Sequence, residues 1–407
     1  MTNWKTYKLG EIASVQTGPF GSQLHQSDYV ITGTPIITVE HLGENRIVHE
    51  NLPRVNDVDK ARLSKYWLKE DDIVFSRVGS VDRRAYVKKE EDGWLFSGRC
   101  LRVRPSNKIN GKYLSYFFGM EDFKSKIRAV AVGATMPSLN TSIMKEIEVT
   151  MPENIKEQQQ IAQILTSLDD KIELNLQMNQ TLEAMAQAIF KEWFVKFNFP
   201  DFDGELVNGM PKRWRMGSIL EISQLLSGGT PKTVIEDYWN GNIKWISAKD
   251  ITANNGRFIL STEKQISNVG LKNSAAKLLP KFSTIISARG TVGNYCIIPE
   301  EMTISQSNYG IKAKLQNSDF FLFLMIENMI LMMKAYSYGT VFDTITTKTF
   351  QEMEVNIPDE KVIKKFERVI TPLYEKILIN QFQIQTLTQT RDALLPKLMS
   401  GKIEINN

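Results

Sequence analysis

Two stretches of this chain place side chains in the same alternation of four and three residues. The first runs Ile161, Leu165, Leu168, Ile172, Asn175, Asn179, Leu182, Ala186, Ile189, Trp193. The second runs Phe366, Ile370, Leu373, Ile377, Asn380, Ile384, Leu387, Arg391, Leu394, Leu398, at a constant offset of 205 residues from the first. A mean spacing of about 3.5 residues is the seam of a coiled coil, because it keeps one edge of a helix against a partner. A helix that only feeds its own domain's core shows a broader apolar stripe. A helix from Glu157 to Trp193 would be roughly 55 Å long at 1.5 Å per residue, more than a small domain needs. Two long helices that pair with each other are therefore expected. Asn175, Asn179 and Asn380 are the register candidates: a buried Asn costs stability, but a slipped pairing leaves its amide unpaired. Pro372, early in the second stripe, is expected to kink that helix or mark its effective start.

The rest of the chain is duplicated too, with a period near 206 residues. Trp4 through Glu11-Ile12 matches Trp214 through Glu221-Ile222, and each is followed by a Gly/Pro turn. Ile73-Val-Phe-Ser-Arg77 with Gly79-Ser-Val81 matches Ile285-Ile-Ser-Ala-Arg289 with Gly290-Thr-Val292. Gly133 with Lys145–Pro152 matches Gly339 with Gln351–Pro358, in the same order. So long a period means two copies of a domain plus its connector. Short β-branched runs (Ile36–Val39, Ile73–Phe75, Ile285–Ile286, Glu354–Ile357) mix with apolar helical segments without regular βαβ alternation. The expected fold is mixed α/β (α+β): two similar globular domains separated by a long antiparallel two-helix coiled coil, with a pseudo-two-fold internal repeat. The expected boundaries are 1–152, 153–197, 198–358 and 359–407. The turn-rich stretch Asn198–Arg213 leads from the first helix into the second copy.

Composition fits a soluble globular chain, with 42% hydrophobic and 24% charged residues over 407 positions. The two cysteines, Cys100 and Cys296, cannot form a disulfide framework, which points to a reducing cytoplasm. Met1-Thr-Asn-Trp-Lys does not begin a signal peptide. The run Phe320–Met333 is interrupted by Glu327 and Asn328 and reads as a buried helix, not a membrane span. Net charge is only +4, but Ser97–Arg128 carries eight cations against Glu121 and Asp122. Such a local excess suits either a solvated face or a phosphate-facing one.

Catalytic signatures are missing. There is no P-loop, no Gly-x-Gly-x-x-Gly, no Gly-x-Ser-x-Gly elbow and no zinc spacing among His25, His41, His49 and the two cysteines. The Asn/Asp-Pro-Pro-Tyr/Phe motif of amino-methyltransferases is also absent. No metal ligands and no catalytic residues are assigned.

In its motifs and their order the chain resembles the specificity subunits of Type I restriction–modification systems. The resemblance rests on Leu9-Gly-Glu-Ile12 with Thr17-Gly-Pro-Phe-Gly-Ser22, Asp71–Ser80, Gly133–Asn140, Glu157–Leu165, Ser227-Gly-Gly-Thr-Pro231 and Arg391–Lys402, and it covers essentially all of the chain. It implies two target-recognition domains, each reading one half of a split DNA site, and helical regions that act as spacer and dock two modification subunits. It further implies that S-adenosylmethionine and N6-adenine methylation belong to those partners. ATP, Mg and cleavage belong to restriction subunits. This chain would be non-catalytic, without a cofactor of its own and not bound to membrane. Partners reading one face of the duplex sit about one helical turn, roughly 34–36 Å, apart. A fused methyltransferase or nuclease, and a scaffold that binds no DNA, are the competing classes.

Arg pairs bidentately with guanine, and Asn or Gln with adenine. On that basis the candidates in the first domain are Ser22, Gln23, Arg77, Ser80, Arg83, Arg84, Thr135 and Asn140. In the second they are Lys249, Asn254, Asn255, Arg257, Arg289, Thr291, Asn294, Gln306, Asn308 and Tyr309. Arg77 and Arg289 match in the repeat and equally suit a role bracing the fold. The loops differ between copies, Gly-Pro-Phe-Gly against Gly-Gly-Thr-Pro, so the two half-sites are expected to differ.

Overall fold

The computed structural model of the chain describes residues 3–21, 23–133, 136–254, 256–336 and 344–403, with backbone only for 331–336. Both long helices are present, Ile155–Phe190 and Glu360–Leu398. Each starts at a side-chain cap in an equivalent position. Asn154 Oδ1 accepts the Lys156 amide at 3.0 Å and Asp359 Oδ1 accepts the Lys361 amide at 2.8 Å, satisfying donors that a first turn leaves without partners. The first helix runs out through a π-type turn, Lys191–Val195, into a hairpin of Leu206–Val207 and Met210–Pro211. Its turn residues Asn208 and Gly209 have φ of 53° and 79°, the left-handed pair that a two-residue hairpin turn requires.

Pro372 does not mark the start of the second helix, which begins at Glu360 and continues through it. The ring removes one bond to the Arg368 carbonyl. Both residues are exposed, so water can take the lost donor's place.

The chain forms two compact units, residues 1–171 with 387–407, and residues 172–386. Each contains part of both long helices. In the first unit a four-stranded antiparallel sheet has the order Ala13–Thr17, Cys100–Pro105, Ile73–Ser76, Arg84–Tyr86. A second sheet orders Arg54–Val55, Thr34–Ile37 and Leu95–Phe96, and Trp4–Lys8 pairs with Glu148–Pro152. The second unit repeats this. Its larger sheet runs Ser223–Ser227, Asn308–Ala313, Thr284–Ser287, Tyr295–Ile297. Its smaller sheet runs Lys264–Ile266, Trp239–Ile246, Thr303–Ile304, and Arg215–Ser218 pairs with Glu354–Ile357. The duplication seen in sequence is thus one of strand order and direction.

The backbone bonds correct the sequence alignment by one residue. Ser76 N donates to Arg83 O and Ser287 N to Asn294 O, both at 2.9 Å. Leu139 N donates to Arg77 O at 2.9 Å, and Ile345 N to Ala288 O at 3.0 Å. Arg77 therefore corresponds to Ala288, and Arg289 stands one step further along, in the place of Val78.

The helix ends are part of each unit's core. In the first unit Ile161, Leu165, Leu398 and Met399 are buried with Phe75, Tyr113 and Phe118. The second helix stops there in a double hydrogen-bonded turn: Gly401 N donates to Leu398 O and Lys402 N to Lys397 O. Gly401 has φ 69°, and a Cβ on it would lie 2.8 Å from Trp4 Nε1, so glycine is required twice over. In the second unit Ala186, Phe190 and Phe194 are buried with Phe321, Phe366, Ile370 and Ile377.

Within each unit the two helices run antiparallel. In the first, Arg391 Nη1 donates to Asp169 Oδ1 at 2.7 Å. In the second, Asn175 Nδ2 donates to Gln383 Oε1 at 3.2 Å and Asn380 Nδ2 to Asn179 Oδ1 at 2.8 Å. Each step forward on one helix meets a step back on the other. Residues equivalent in the repeat, such as Asn175 and Asn380, are therefore not each other's partners. Asn175 Oδ1 and Asn380 Oδ1 are buried with no hydrogen-bond partner among the described residues. Such an atom costs about 1–3 kcal/mol, so this polar layer selects a register at the expense of stability.

Each long helix also serves the globular helix it packs on. Gln158 Oε1 accepts the Asn110 amide at 2.9 Å, at the start of helix Gly111–Phe117. Glu367 Oε1 accepts the Phe321 amide at 2.7 Å, in the first turn of helix Asp319–Tyr336, and Thr371 donates to its other oxygen at 3.1 Å. Burial pushes the Glu367 carboxyl up to about 7, against the lowering effect of these two bonds. The folded protein therefore holds this proton to higher pH than the unfolded chain does. Its contribution to stability is full below about pH 4.5 and is lost as pH rises through 7. Glu367→Gln keeps an acceptor for Phe321 and never ionises. The variant is expected to gain roughly 1–3 kcal/mol on wild type between pH 5 and pH 8. Denaturant melts of both proteins at the two pH values measure this, and parallel pH dependences would contradict it.

Candidate nucleic-acid interface

Strand order places the chemistry at one end of each larger sheet, where the turns connecting the strands meet. In the first unit Gly18 N donates to Cys100 O at 3.1 Å, Arg77 N to Arg99 O at 2.8 Å and Gly79 N to Pro137 O at 2.9 Å. These bonds gather the segments 18–21, 77–83, 97–99 and 136–140. In the second unit Ala288 N donates to Ser307 O at 2.8 Å, the counterpart of the Arg77–Arg99 bond, and Gly229 N donates to Ile304 O at 2.9 Å. Gly79 and Gly290, with φ of 74° and 80°, turn the two corresponding hairpins.

The candidates in the first unit divide by what their side chains already hold. Ser80 and Arg83 are exposed on the hairpin, and Arg83 Nε donates to Leu42 O at 3.1 Å. Gln23 is exposed and accepts the Tyr66 hydroxyl at 2.7 Å. Arg77 is half-buried, donates Nε to Leu139 O at 3.3 Å and lies 5.6 Å from the Phe20 ring centroid. It braces the loops and presents a cation–π face. Asn140 caps helix Thr141–Lys145 by accepting the Ile143 amide at 2.8 Å. Arg84 is buried and donates Nε to Ser115 O at 2.9 Å, and burial lowers its guanidinium below the usual arginine range. It is out of reach of a ligand at the surface. Ser22 and Thr135 lie outside the described residues.

In the second unit Arg289 and Thr291 are exposed at the hairpin tip, and the Arg289 side chain is unpaired among the described residues. Thr291 shares a hydrogen bond with Thr252 at 2.5 Å, and Asn294 Nδ2 donates to the same Thr252 hydroxyl at 3.4 Å. Gln306 is exposed beside Thr230, with which it is hydrogen-bonded. Tyr309 is half-buried, edge-on to Phe350. Lys249 pairs with Glu263 at 2.7 Å and Asn254 Nδ2 donates to Gly256 O at 2.6 Å. Two candidates are committed to partners within the fold. Asn308 is buried and donates to Ile246 O and Ser305 Oγ, both at 3.1 Å. Arg257 is held by Glu183 at 2.7 Å and Glu327 at 2.6 Å. Asn255 lies outside the described residues.

The basic run Ser97–Arg128 is not one face. Arg104 donates to both oxygens of buried Asp72 at 2.7 Å, and Arg102 is buried against Trp67 O at 2.9 Å. Arg128 pairs with Asp82 at 2.6 Å and with Glu121. Arg99 remains exposed at the loop end. So does Phe20, which candidate selection by polar type passed over; an aromatic inside a Gly-Pro-Phe-Gly turn, away from any apolar period, was its available signal. His49, Glu90 and Glu91 bring ligand atoms within 4.8 Å of one another, yet Glu91 already bonds His49 at 2.8 Å and the Lys88 amide at 2.5 Å.

The family model for the Type I restriction modification DNA specificity domain matches residues 1–184 and 211–389. Over 99% of this chain and 100% of its own length, the Type I restriction enzyme HindI specificity subunit of Haemophilus influenzae is 25% identical. The MjaIX specificity subunit of Methanocaldococcus jannaschii is 28% identical over 74% of this chain and 71% of its own. A crystal structure of the Type I restriction–modification S subunit from M. genitalium superposes with a TM-score of 0.64 at 15% identity, covering 100% of this chain and 97% of that one. With two matched regions, one in each copy of the repeat, the chain belongs to the Type I restriction–modification DNA specificity family.

Proposed function

We propose that this chain is the DNA-reading subunit of a Type I restriction–modification complex and recognises a bipartite, asymmetric sequence, one half with each unit. The observation that carries this reading is a pair of matching hairpins with different tips. Both return to their sheets through the same backbone bonds, and both turn on a left-handed glycine. Yet Ser80 and Arg83 stand where the other copy has Thr291 and Asn294, and Arg289 has no cationic counterpart at Val78. A retained scaffold with changed donor and acceptor groups suits two readers of different base edges. Ser80, Arg83, Arg99 and Gln23 serve the first half-site, and Arg289, Thr291, Asn294 and Gln306 the second. The chain carries no chemical step. N6-adenine methylation with S-adenosylmethionine belongs to modification subunits, and ATP- and Mg-dependent cleavage to restriction subunits.

The long helices offer two matching docking points for the modification subunits. Ile164 and Val369, equivalent in the repeat, are 36% and 44% exposed; Leu174 and Ile379, also equivalent, are 50% and 51% exposed. Large apolar side chains left half in water at the same place on both helices suit two copies of one partner.

Two outcomes are expected. Exchanging residues 1–150 for the corresponding part of a relative changes one half-site of the methylated sequence and leaves the other unchanged, as read by mapping N6-methyladenine. A change in both halves, or in neither, would contradict the division of labour. Leu174→Glu or Ile379→Glu alone leaves a complex with one modification subunit, and both together leave none, as read by native mass. Single variants that lose both partners, or a double variant that keeps both, would contradict two independent docking points.

A further inference from the structure

Arg257 has the residue type of a base contact, but its surroundings give it different work. Its guanidinium joins Glu183, on the first long helix, to Glu327, on the globular helix, at 2.7 and 2.6 Å. The same Glu327 oxygen accepts the Tyr295 hydroxyl at 2.8 Å. Tyr295 is the first residue of the strand returning from the hairpin that carries Arg289, Thr291 and Asn294. The Arg257 backbone reaches that strand as well, since Ile297 N donates to Arg257 O at 2.9 Å and Ile259 N to Ile297 O at 3.0 Å. One residue on, Gln381 of the second long helix holds Phe258 on both sides: its Oε1 accepts the Phe258 amide and its Nε2 donates to the Phe258 carbonyl, each at 3.0 Å. The segment from Gly256 to Ile259 is thus a splint, fixed to both long helices along one edge and to the hairpin's return strand along the other.

The first unit builds a comparable connection from different residues. Arg84, which occupies the position of Tyr295, donates to the Ser115 carbonyl on the globular helix at 2.9 Å. Next to it, Tyr116 donates to Asp169 of the first long helix at 2.6 Å, and Asp169 also accepts Arg391 of the second at 2.7 Å. Both copies tie the return strand to the globular helix and the globular helix to the long helices. The side chains differ between the copies, but the connection is present in both.

We propose that Arg257 is a positioning residue for the second reading surface: through Glu183, Glu327 and Tyr295 it sets the angle of the hairpin and touches no DNA. This rests on the DNA-reading function proposed above. Base-edge recognition depends on placement to a fraction of an ångström, so releasing the splint blurs recognition without removing any contact group.

The test uses the complete subunit with its modification partners and duplexes carrying the intact site, one changed base in the first half-site, or one in the second, assigned by the domain exchange. Arg257→Gln, Glu183→Gln and Tyr295→Phe are each expected to cut discrimination at the second half-site about tenfold and leave the first unchanged. The double variant Arg257→Gln with Glu183→Gln is expected to be no worse than Arg257→Gln, and Arg257→Lys to recover part of the loss. The slope of affinity against salt stays as in wild type. If Arg257→Gln lowers that slope by about one while Glu183→Gln is silent, Arg257 touches phosphate and the proposal is wrong. Equal loss at both half-sites, loss that follows melting temperature across the variants, or no loss would also overturn it. A wild-type complex indifferent to both half-sites would instead overturn the DNA-reading function, and this inference with it.

Discussion

The antiparallel seam between the two long helices carries the rest of the structure. Neither compact unit closes its core without it: the first buries Ile161 and Leu165 from one helix with Leu398 and Met399 from the end of the other, and the second buries Phe190 and Phe194 with Phe366 and Ile370. Ile161, Leu165, Phe366, Ile370 and Leu398 lie on the four-three stripe itself, and Phe190, Phe194 and Met399 stand one residue beyond it. The helices are therefore structural members of both units, and the return of the C-terminal turn to Trp4 follows from the pairing direction.

Polar groups set where the seam is allowed to sit. Apolar pairs tolerate sliding by a turn; Asn380 with Asn179, Asn175 with Gln383 and Arg391 with Asp169 do not, because a slip strands a buried amide or charge. The layer is costly, as the two unpartnered Asn oxygens show, and that cost is borne by the extensive aromatic contacts around Phe194 and Phe366. Register in turn fixes which helix residues meet which globular elements. Gln158 and Glu367 reach the amides they cap, and Glu183 and Gln381 reach the splint, only in this alignment.

What was legible in the sequence is what repeats locally. The stripe, the turn-rich stretch Asn198–Arg213 and the helix over Phe320–Met333 each leave a short-range trace. What was not legible depends on partners far away in the chain. Arg257 is committed by Glu183 and Glu327, 74 and 70 residues distant, and Arg84 by Ser115, so residue type alone offered them as DNA contacts. Asn308 looked like a reader and is an internal clamp on Ile246. Matching Arg77 to Arg289 followed identity of residue type, whereas the backbone bonds pair Arg77 with Ala288. Pro372 suggested a kink or the start of the helix because its lost bond is certain from sequence but its exposure is not. The basic run dissolved because its cations fall on a strand, loops and two helices, and Arg104 and Arg128 are taken up by Asp72 and Asp82.

Pairing direction is open to direct measurement by cysteine cross-linking in a background where buried Cys100 and Cys296 are replaced by Ser. Leu182 and Ile377 lie one turn beyond the Asn179–Asn380 bond, on facing edges of the seam. Ile172 and Ile377 are equivalent in the repeat and would face each other only in a parallel pair. The account predicts that Leu182→Cys with Ile377→Cys oxidises to a disulfide within one chain and that Ile172→Cys with Ile377→Cys does not. Cross-linking of the second pair, or of neither, would contradict it.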